Sequence, residues 1–341
     1  MRYPNLSRRF VLGAGAVAGL KWARHRAHAA QPLKSDPAIA GVIRYQGWAG
    51  TVLFPELAEA LGYMAPLRLQ WVGNVSSGPQ DLQAAITGNT EFASAFNGAI
   101  MKMVGVGAPF KAVFSYEGTN DKECSGLLVR DHSPIHTARD LIGRSIGMNT
   151  LRGSSECFVD QYLQVKGLSK EERDQITIVA VPSSLGEAAL RHGRVDALVA
   201  STFFRDETLS CGGIREIVRD VDLYGICNED SVILRNSYMQ EYPQEAAHFV
   251  QASTRAIVWC QQAPVAEVVK LMTSIIHQRR RGESTLPVHY WSACSVATRG
   301  GVLSGEDFKR FQPWYAARGD MATASLSPSI VFTNRLNPYH L

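Results

Sequence analysis

The chain has 341 residues, with 35 Lys and Arg against 31 Asp and Glu and a formal net charge of +4. Six of those basic residues and no acid fall in the first 29 positions, which leaves 29 basic against 31 acidic side chains in the remainder. The basic balance belongs to the amino-terminal segment, so it supports neither a nucleic-acid partner nor a membrane-surface role for the rest.

That segment has its own logic. Ser7-Arg8-Arg9-Phe10-Val11-Leu12 precedes a weakly apolar Gly/Ala run over 13–20, then Lys21, Arg24 and Arg26, then Ala27-His28-Ala29. This is the layout of a twin-arginine export signal over residues 1–29, with cleavage near Ala30 and the periplasm as destination. Val11 stands where Phe is commonest, a mild departure. The run over 13–20 is too short and too glycine-rich for a bilayer span, and no later stretch reaches the ~20 consecutive apolar residues that one needs. About 310 residues remain after cleavage, more than one hydrophobic core usually organises, so two domains are expected. The six cysteines (124, 157, 211, 227, 260 and 294) show no CxxC or ligand spacing. An oxidising compartment permits a bridge among them, and no pair is singled out.

Along the chain, extended and helical patterns alternate. Residues 42–46 read as strand, 54–61 as helix, 67–72 as strand, 82–86 as helix, 92–96 as strand, 100–104 as helix and 112–116 as strand. The pattern then restarts, with strands over 126–129, 145–148, 176–181, 196–200 and 214–218. Helices fall over 137–142, 158–165 and 188–192, the last behind a capping box Ser184-x-x-Glu187. Residues 244–278 read as two helices broken at Pro264, and Ser304-x-x-Asp307 opens a terminal helix around 308–315. Short connections favour βα units and largely parallel sheets, hence two α/β lobes with helices at the end. The expected lobes are 36–130 with 228–341, and 131–227.

In such folds ligands sit beyond the carboxyl ends of strands, where helices begin. Those loops hold glycine, hydroxyl, amide and aromatic groups: Gln46-Gly47-Trp48, Asn74-Val75-Ser76-Ser77-Gly78-Pro79, Asn97-Gly98, Arg152-Gly153-Ser154-Ser155 and Pro182-Ser183-Ser184. One hydroxyl at a helix start is ordinary capping. Repeated at successive strand ends, several helix N-termini aimed into one cleft would hold a small anion without a buried acid–base pair. Arg152 is the residue for charge recognition, set against a surface arginine. Trp48 covers a ligand or packs in the core, and Tyr116 lines the cleft or bridges core and solvent.

Several segments carry a family resemblance: Arg44-Tyr45-Gln46, Ser77-Gly78-Pro79-Gln80, Gly105-Val106-Gly107-Ala108-Pro109, Asp140-Leu141-x-Gly143, and Arg152-Gly153-Ser154-Ser155 through Ala188-Ala189-Leu190 to Asp196-Ala197. In order and spacing the chain resembles periplasmic solute-binding proteins of taurine, alkanesulfonate and nitrate ABC importers, related to the thiamine-pyrimidine-precursor proteins. The likeness covers most of residues 40–200. It implies a two-lobed periplasmic binding protein fold of mostly parallel sheets flanked by helices, closing over a ligand in the interlobe cleft. It also implies no catalytic residue, metal or cofactor, and a monomer that hands a small organic anion to an inner-membrane ABC permease. By position Gln46, Ser77, Asn97, Ser154, Ser155 and Ser183 fall on ligand-contacting loops. Where relatives often place Trp or Glu-Pro, this chain has Ser201-Thr202-Phe203-Phe204-Arg205, so the ligand-selective wall is altered. Arg205 reads as a surface charge beside Asp206 and Glu207.

Other readings are weaker. Gly13-x-Gly15-x-x-Ala18 has no strand before it and lies in the export signal. Cys157 lacks a His–Asn set and reads as a buried structural thiol. His132-x-x-x-His136 has no third ligand. Rivals that stay open are a pyrimidine-precursor or aromatic-acid carrier, with Trp48, Phe96, Tyr116 and Phe203 stacking on a ring, a ligand sensor, and a pyrimidine-synthase-like enzyme of the same fold.

Overall fold

The computed structural model describes residues 38–340; the expected export signal and its cleavage point lie outside the described residues. The first βα pattern holds: β1 (Val42–Trp48), α1 (Phe54–Ala60), β2 (Arg68–Val75), α2 (Gly78–Ile86), β3 (Phe92–Phe96), α3 (Asn97–Gly105) and β4 (Phe110–Thr119). The second runs through β5 (Gly126–Arg130), β6 (Ser145–Met148), α4 (Ser154–Val165), α5 (Lys170–Arg173), β7 (Thr177–Ala180), α6 (Ser183–Arg191), β8 (Ala197–Ala200), α7 (Thr202–Ser210), β9 (Ile214–Arg219) and α8 (Val221–Tyr224). The chain returns along β10 (Cys227–Arg235), α9 (Asn236–Glu241) and the long helices α10 (Pro243–Gln262) and α11 (Val265–Arg279). Among the described residues no helix is long and apolar enough to cross a membrane.

Strands group as β1-β2, β3-β10-β4 and β7-β6-β8-β5-β9. β6 is parallel to β7 and β8, while β5 is antiparallel to β8 and β9. The sequence reading contained no strand over 227–235, yet β10 lies between β3 and β4, antiparallel to both. Its pattern, Cys-Asn-Glu-Asp-Ser-Val-Ile-Leu-Arg, opens on four polar or weakly apolar residues, so it does not read as a buried strand. β5, expected to close the first lobe at residue 130, pairs instead inside the five-stranded sheet. The α6 helix begins at Ser183 rather than 188, with Pro182 at its N-cap and no side-chain cap, so the expected capping box does not form. The expected helix over 308–315 is broken into Glu306–Lys309 and Gln312–Ala317, the second starting with Pro313 in its first turn, where proline's fixed φ is tolerated.

The whole five-stranded sheet lies between two passages of chain, 120–125 and 220–226. Asp220 fastens these passages together: its carboxylate accepts from Thr119 Oγ1 at 2.6 Å and from the Ser125 backbone N–H at 2.9 Å. The β3-β10-β4 sheet buries one face against α10, where Phe249 packs on Phe92 and Phe114 at centroid separations of 5.0 and 6.2 Å. Arg44, which carried part of the family likeness, is structural. Its guanidinium and that of Arg235 both bind Glu91, a carboxylate with no solvent exposure.

Candidate functional site

Between the five-stranded sheet and the β3-β10-β4 sheet lies a cavity of about 180 Å³, adjoined by a smaller one of about 40 Å³. Trp48, Tyr116, Asn149, Ser154 and Asp230 line both. Local sequence sets one wall. β6, β7 and β8 end in loops that start α4, α6 and α7, and Ser154, Ser183, Ser201 and Thr202 at those starts face the larger cavity. The first-turn N–H groups of a helix have no intrahelical partner and carry the positive end of its dipole, so this wall favours negative charge. The start of α2, Gly78-Pro79, lines the smaller cavity. A Cβ at Gly78 would come within 2.9 Å of Ala95 Cβ, so glycine lets this helix start lie close against β3.

The opposite wall is different. It is built by Glu117 and Tyr116 at the end of β4, Asp230 on β10, and Glu123 in the first connecting passage. Tyr116 donates its hydroxyl to Asp230 Oδ2 at 3.1 Å. Glu123 accepts from the Ser292 backbone N–H at 2.7 Å, which holds the strap over 291–295 against the cavity. Burial pushes the Glu117 carboxyl up to about 8, with Asp230, Glu123 and Asp220 adding repulsion. Burial likewise raises Asp230 and Glu123 to about 7. Aromatic side chains complete the enclosure: Trp48, whose indole N–H donates to Ser94 Oγ at 3.0 Å, Trp291, and Phe203 beside Phe204 at 4.9 Å between centroids.

Of the residues singled out from sequence, Trp48, Tyr116, Ser154, Ser183 and Phe203 meet around this cavity. The others lie elsewhere. Asn97 is fully buried, donating to the Asp307 carbonyl at 3.2 Å and accepting from Ser231 Oγ at 2.5 Å, so it ties β3, β10 and the C-terminal segment together. Ser155 is buried and donates to Asn149 Oδ1 at 3.2 Å, positioning that cavity-lining amide. Ser76 is exposed and bonds Gln80, and Ser77 is the N-cap of α2 without lining either cavity. Gln46 sits on β1 outside both, its Oε1 buried without a partner.

Arg152 is exposed and does not line the cavity. Its φ of 61° turns the chain into α4, and its backbone N–H donates to Glu156 Oε2 at 2.7 Å. Arg205 is no surface charge either: it is mostly buried, forking onto Glu216 of β9 at 2.5 and 2.8 Å with Asp206 alongside. Cys157 is fully buried, as its sequence context implied. The six cysteines are free thiols, with Cys260 and Cys294 in contact. Among the described residues no three His, Cys, Asp or Glu side chains are grouped so as to hold a metal ion.

Sequence reasoning missed Glu117, Glu123 and Asp230. Glu117 directly follows Tyr116 at an expected strand end and was accessible to the strand-end rule. Asp230 had no local signal, because only the return of β10 brings it to the cavity.

Family comparison bears on this arrangement. The family described as NMT1/THI5 like matches residues 67–267, more than half of the chain. The chain belongs to that family. A relative named "Putative aliphatic sulfonates-binding protein", from Bacillus subtilis (strain 168), is 25% identical over 237 residues, 69% of this chain and 65% of the relative. The chain therefore spans just under two thirds of that relative's length. Among solved structures, the alkanesulfonate-binding protein SsuA from Xanthomonas axonopodis pv. citri is similar at TM-score 0.67 and 18% identity, covering 87% of this chain and 99% of that one. The periplasmic nitrate-binding protein NrtA from Synechocystis PCC 6803 follows at 0.66 and 13%, covering 85% of both chains. The desulfurization enzyme DSZB is similar at 0.58 and 16%, covering 86% of this chain and 97% of the enzyme. The fold is thus the α/β fold of the periplasmic binding proteins, one that also houses an enzyme.

Proposed function

We propose that this protein is the solute-binding component of an ABC import system, exported to the periplasm by the twin-arginine route and working as a monomer. It captures a small organic anion of the sulfonate type and presents it to an inner-membrane permease, without chemistry of its own. The observation that carries the reading is the convergence of the α4, α6 and α7 N-termini on one cavity, with Ser154, Ser183, Ser201 and Thr202 at their starts. First-turn N–H groups of α4 and α6, with the dipoles of all three helices, bind an acid group there at little reorganisation cost. Trp48 and Phe203 pack the organic part.

The two lobes of this reading meet at the passages 120–125 and 220–226 rather than at residues 130 and 228. Asp220, which opens the second passage and is bonded to Thr119 and to Ser125 of the first, is the pivot about which they close, and closure creates the surface the permease reads. The aromatic lining also suits a flat ring, which keeps a pyrimidine or aromatic-acid ligand as the second reading.

A thermal-shift screen against alkanesulfonates, nitrate, bicarbonate, pyrimidines and aromatic carboxylates tests it. Ligand at a hundred times its Kd stabilises the native state by about 2.7 kcal/mol. A shift with sulfonates supports the proposal, a shift with pyrimidines alone moves the protein to the second reading, and no shift with any anion overturns it.

A further inference from the structure

The strap over 291–295 continues to residue 298 without regular structure, between the short turns Pro287–Tyr290 and Arg299–Gly301. Trp291, Ala293, Cys294 and Ser295 of this strap line the cavity. Its backbone groups do not bond one another as a helix or strand would, so partners must come from elsewhere. Glu123 accepts from Ser292, Asn120 donates to the Cys294 carbonyl at 3.0 Å, and Asn228 accepts from the Ala297 N–H at 3.0 Å. From the end of α10, Gln261 donates to the carbonyls of Val296 and Thr298 at 3.1 and 2.9 Å.

Beside Gln261 stands Cys260, buried in the cluster that holds Phe249, Ile257, Trp291 and Val296. Cys294 packs on that same cluster, with its thiol against that of Cys260. In this pair a buried thiol meets a half-buried one that lines the cavity.

We propose that Cys260 and Cys294 form a disulfide that fastens the strap to α10 and fixes that side of the cavity. The bridge goes beyond the solute-binding reading and does not depend on it; only the oxidising surroundings of the periplasm come from the export proposed above. The oxidant is itself a disulfide. Cys294, the more accessible thiol, loses its proton and attacks one sulfur of the oxidant, forming a mixed disulfide and expelling a thiolate. Cys260 then gives up its proton and attacks Cys294 Sγ, expelling the oxidant's second sulfur. The two expelled thiolates take up the two protons, so the chain loses two electrons and the oxidant gains them. The Cys294 thiol and burial hold Cys260 protonated, which makes the second step the slow one. Because the thiols already adjoin in the folded chain, bridging needs no unfolding, which suits a chain exported folded.

The test treats the full chain, purified reduced, with oxidised glutathione at about pH 8, where thiolate forms. Remaining thiols are then alkylated and the protein is digested with trypsin without reductant. Of the six cysteines, all but Cys260 and Cys294 should be alkylated, and peptide 256–270 should appear joined to 282–299. Closing the chain between residues 260 and 294 should raise Tm by about 5 °C, reversibly with dithiothreitol. Cys294→Ser and Cys260→Ala should each abolish the joined peptide and the rise, and melts of the reduced variants check their folding. Alkylation of all six thiols, or glutathione retained on Cys294 with Cys260 still free, overturns the inference. A bridge without a rise in Tm, or a rise persisting in either variant, overturns the fastening role. None of these outcomes touches the solute-binding reading, which the ligand screen tests separately on reduced protein.

Discussion

The two walls of the cavity are made by opposite means. On the five-stranded sheet, helix starts at Ser154 and Ser183 present backbone N–H groups, and the start of α7 adds its dipole although the Thr202 N–H is taken by the Cys124 carbonyl at 3.1 Å; this electropositive character needs no charged side chain. On the β4–β10 side, charge comes from the carboxylates of Glu117, Asp230 and Glu123, brought together from separate parts of the chain. The first device is local and inexpensive to fold. The second costs folding energy, because burial disfavours the charged form of each of these acids.

The contrast breaks or sharpens under substitution. The largest effect is expected at the buried acid that does have partners. Glu91→Ala would leave Arg44 and Arg235 buried without their carboxylate and should cost about 3–5 kcal/mol in urea unfolding. At the electropositive wall, Ser154→Asp places a carboxylate at the start of α4, repelling the ligand's acid. Binding of an alkanesulfonate should weaken by about 2 kcal/mol in a titration, with stability little changed because an acid suits a helix start.

The unpaired acids predict a pH dependence of the opposite sign to that of an ordinary salt-bridged carboxylate. Asp81, Glu117, Glu123 and Asp230 have folded-state values raised to about 7, 8, 7 and 7, chiefly by burial. Between the ordinary carboxylate range and about 8, the native state holds protons that the unfolded chain has released, so stability falls as pH rises. Thermal melts of the ligand-free protein should show Tm declining from about pH 5 to about pH 8, and Glu117→Gln should flatten the decline. The smallest effect is expected at Arg152, which does not line the cavity. Arg152→Ala should change anion affinity by less than about 0.5 kcal/mol, and a larger loss would return charge recognition to that side chain.

The same contrast explains what could be read in advance. The α4 and α6 starts were legible because a strand, a short hydroxyl-bearing loop and an apolar helical period are neighbours in sequence; Ser154 and Ser183 follow from that rule, while Phe203 was singled out by the family likeness and its aromatic ring. Asn97 obeyed it as well and was misread, since its buried bonds to Ser231 and Asp307 depend on segments more than a hundred residues away. Asp230 was invisible because β10 opens on polar residues and enters antiparallel between β3 and β4. The α7 helix escaped because Thr202-Phe203-Phe204-Arg205 shows no helical apolar period. Local pattern set the scaffold and the anion wall, whereas topology set the acid wall.

The most direct measurement is a crystal structure with taurine bound. The account predicts its sulfonate against the starts of α4, α6 and α7, with 120–125 and 220–226 bending as the lobes close. A sulfonate bound away from those helix starts would contradict it.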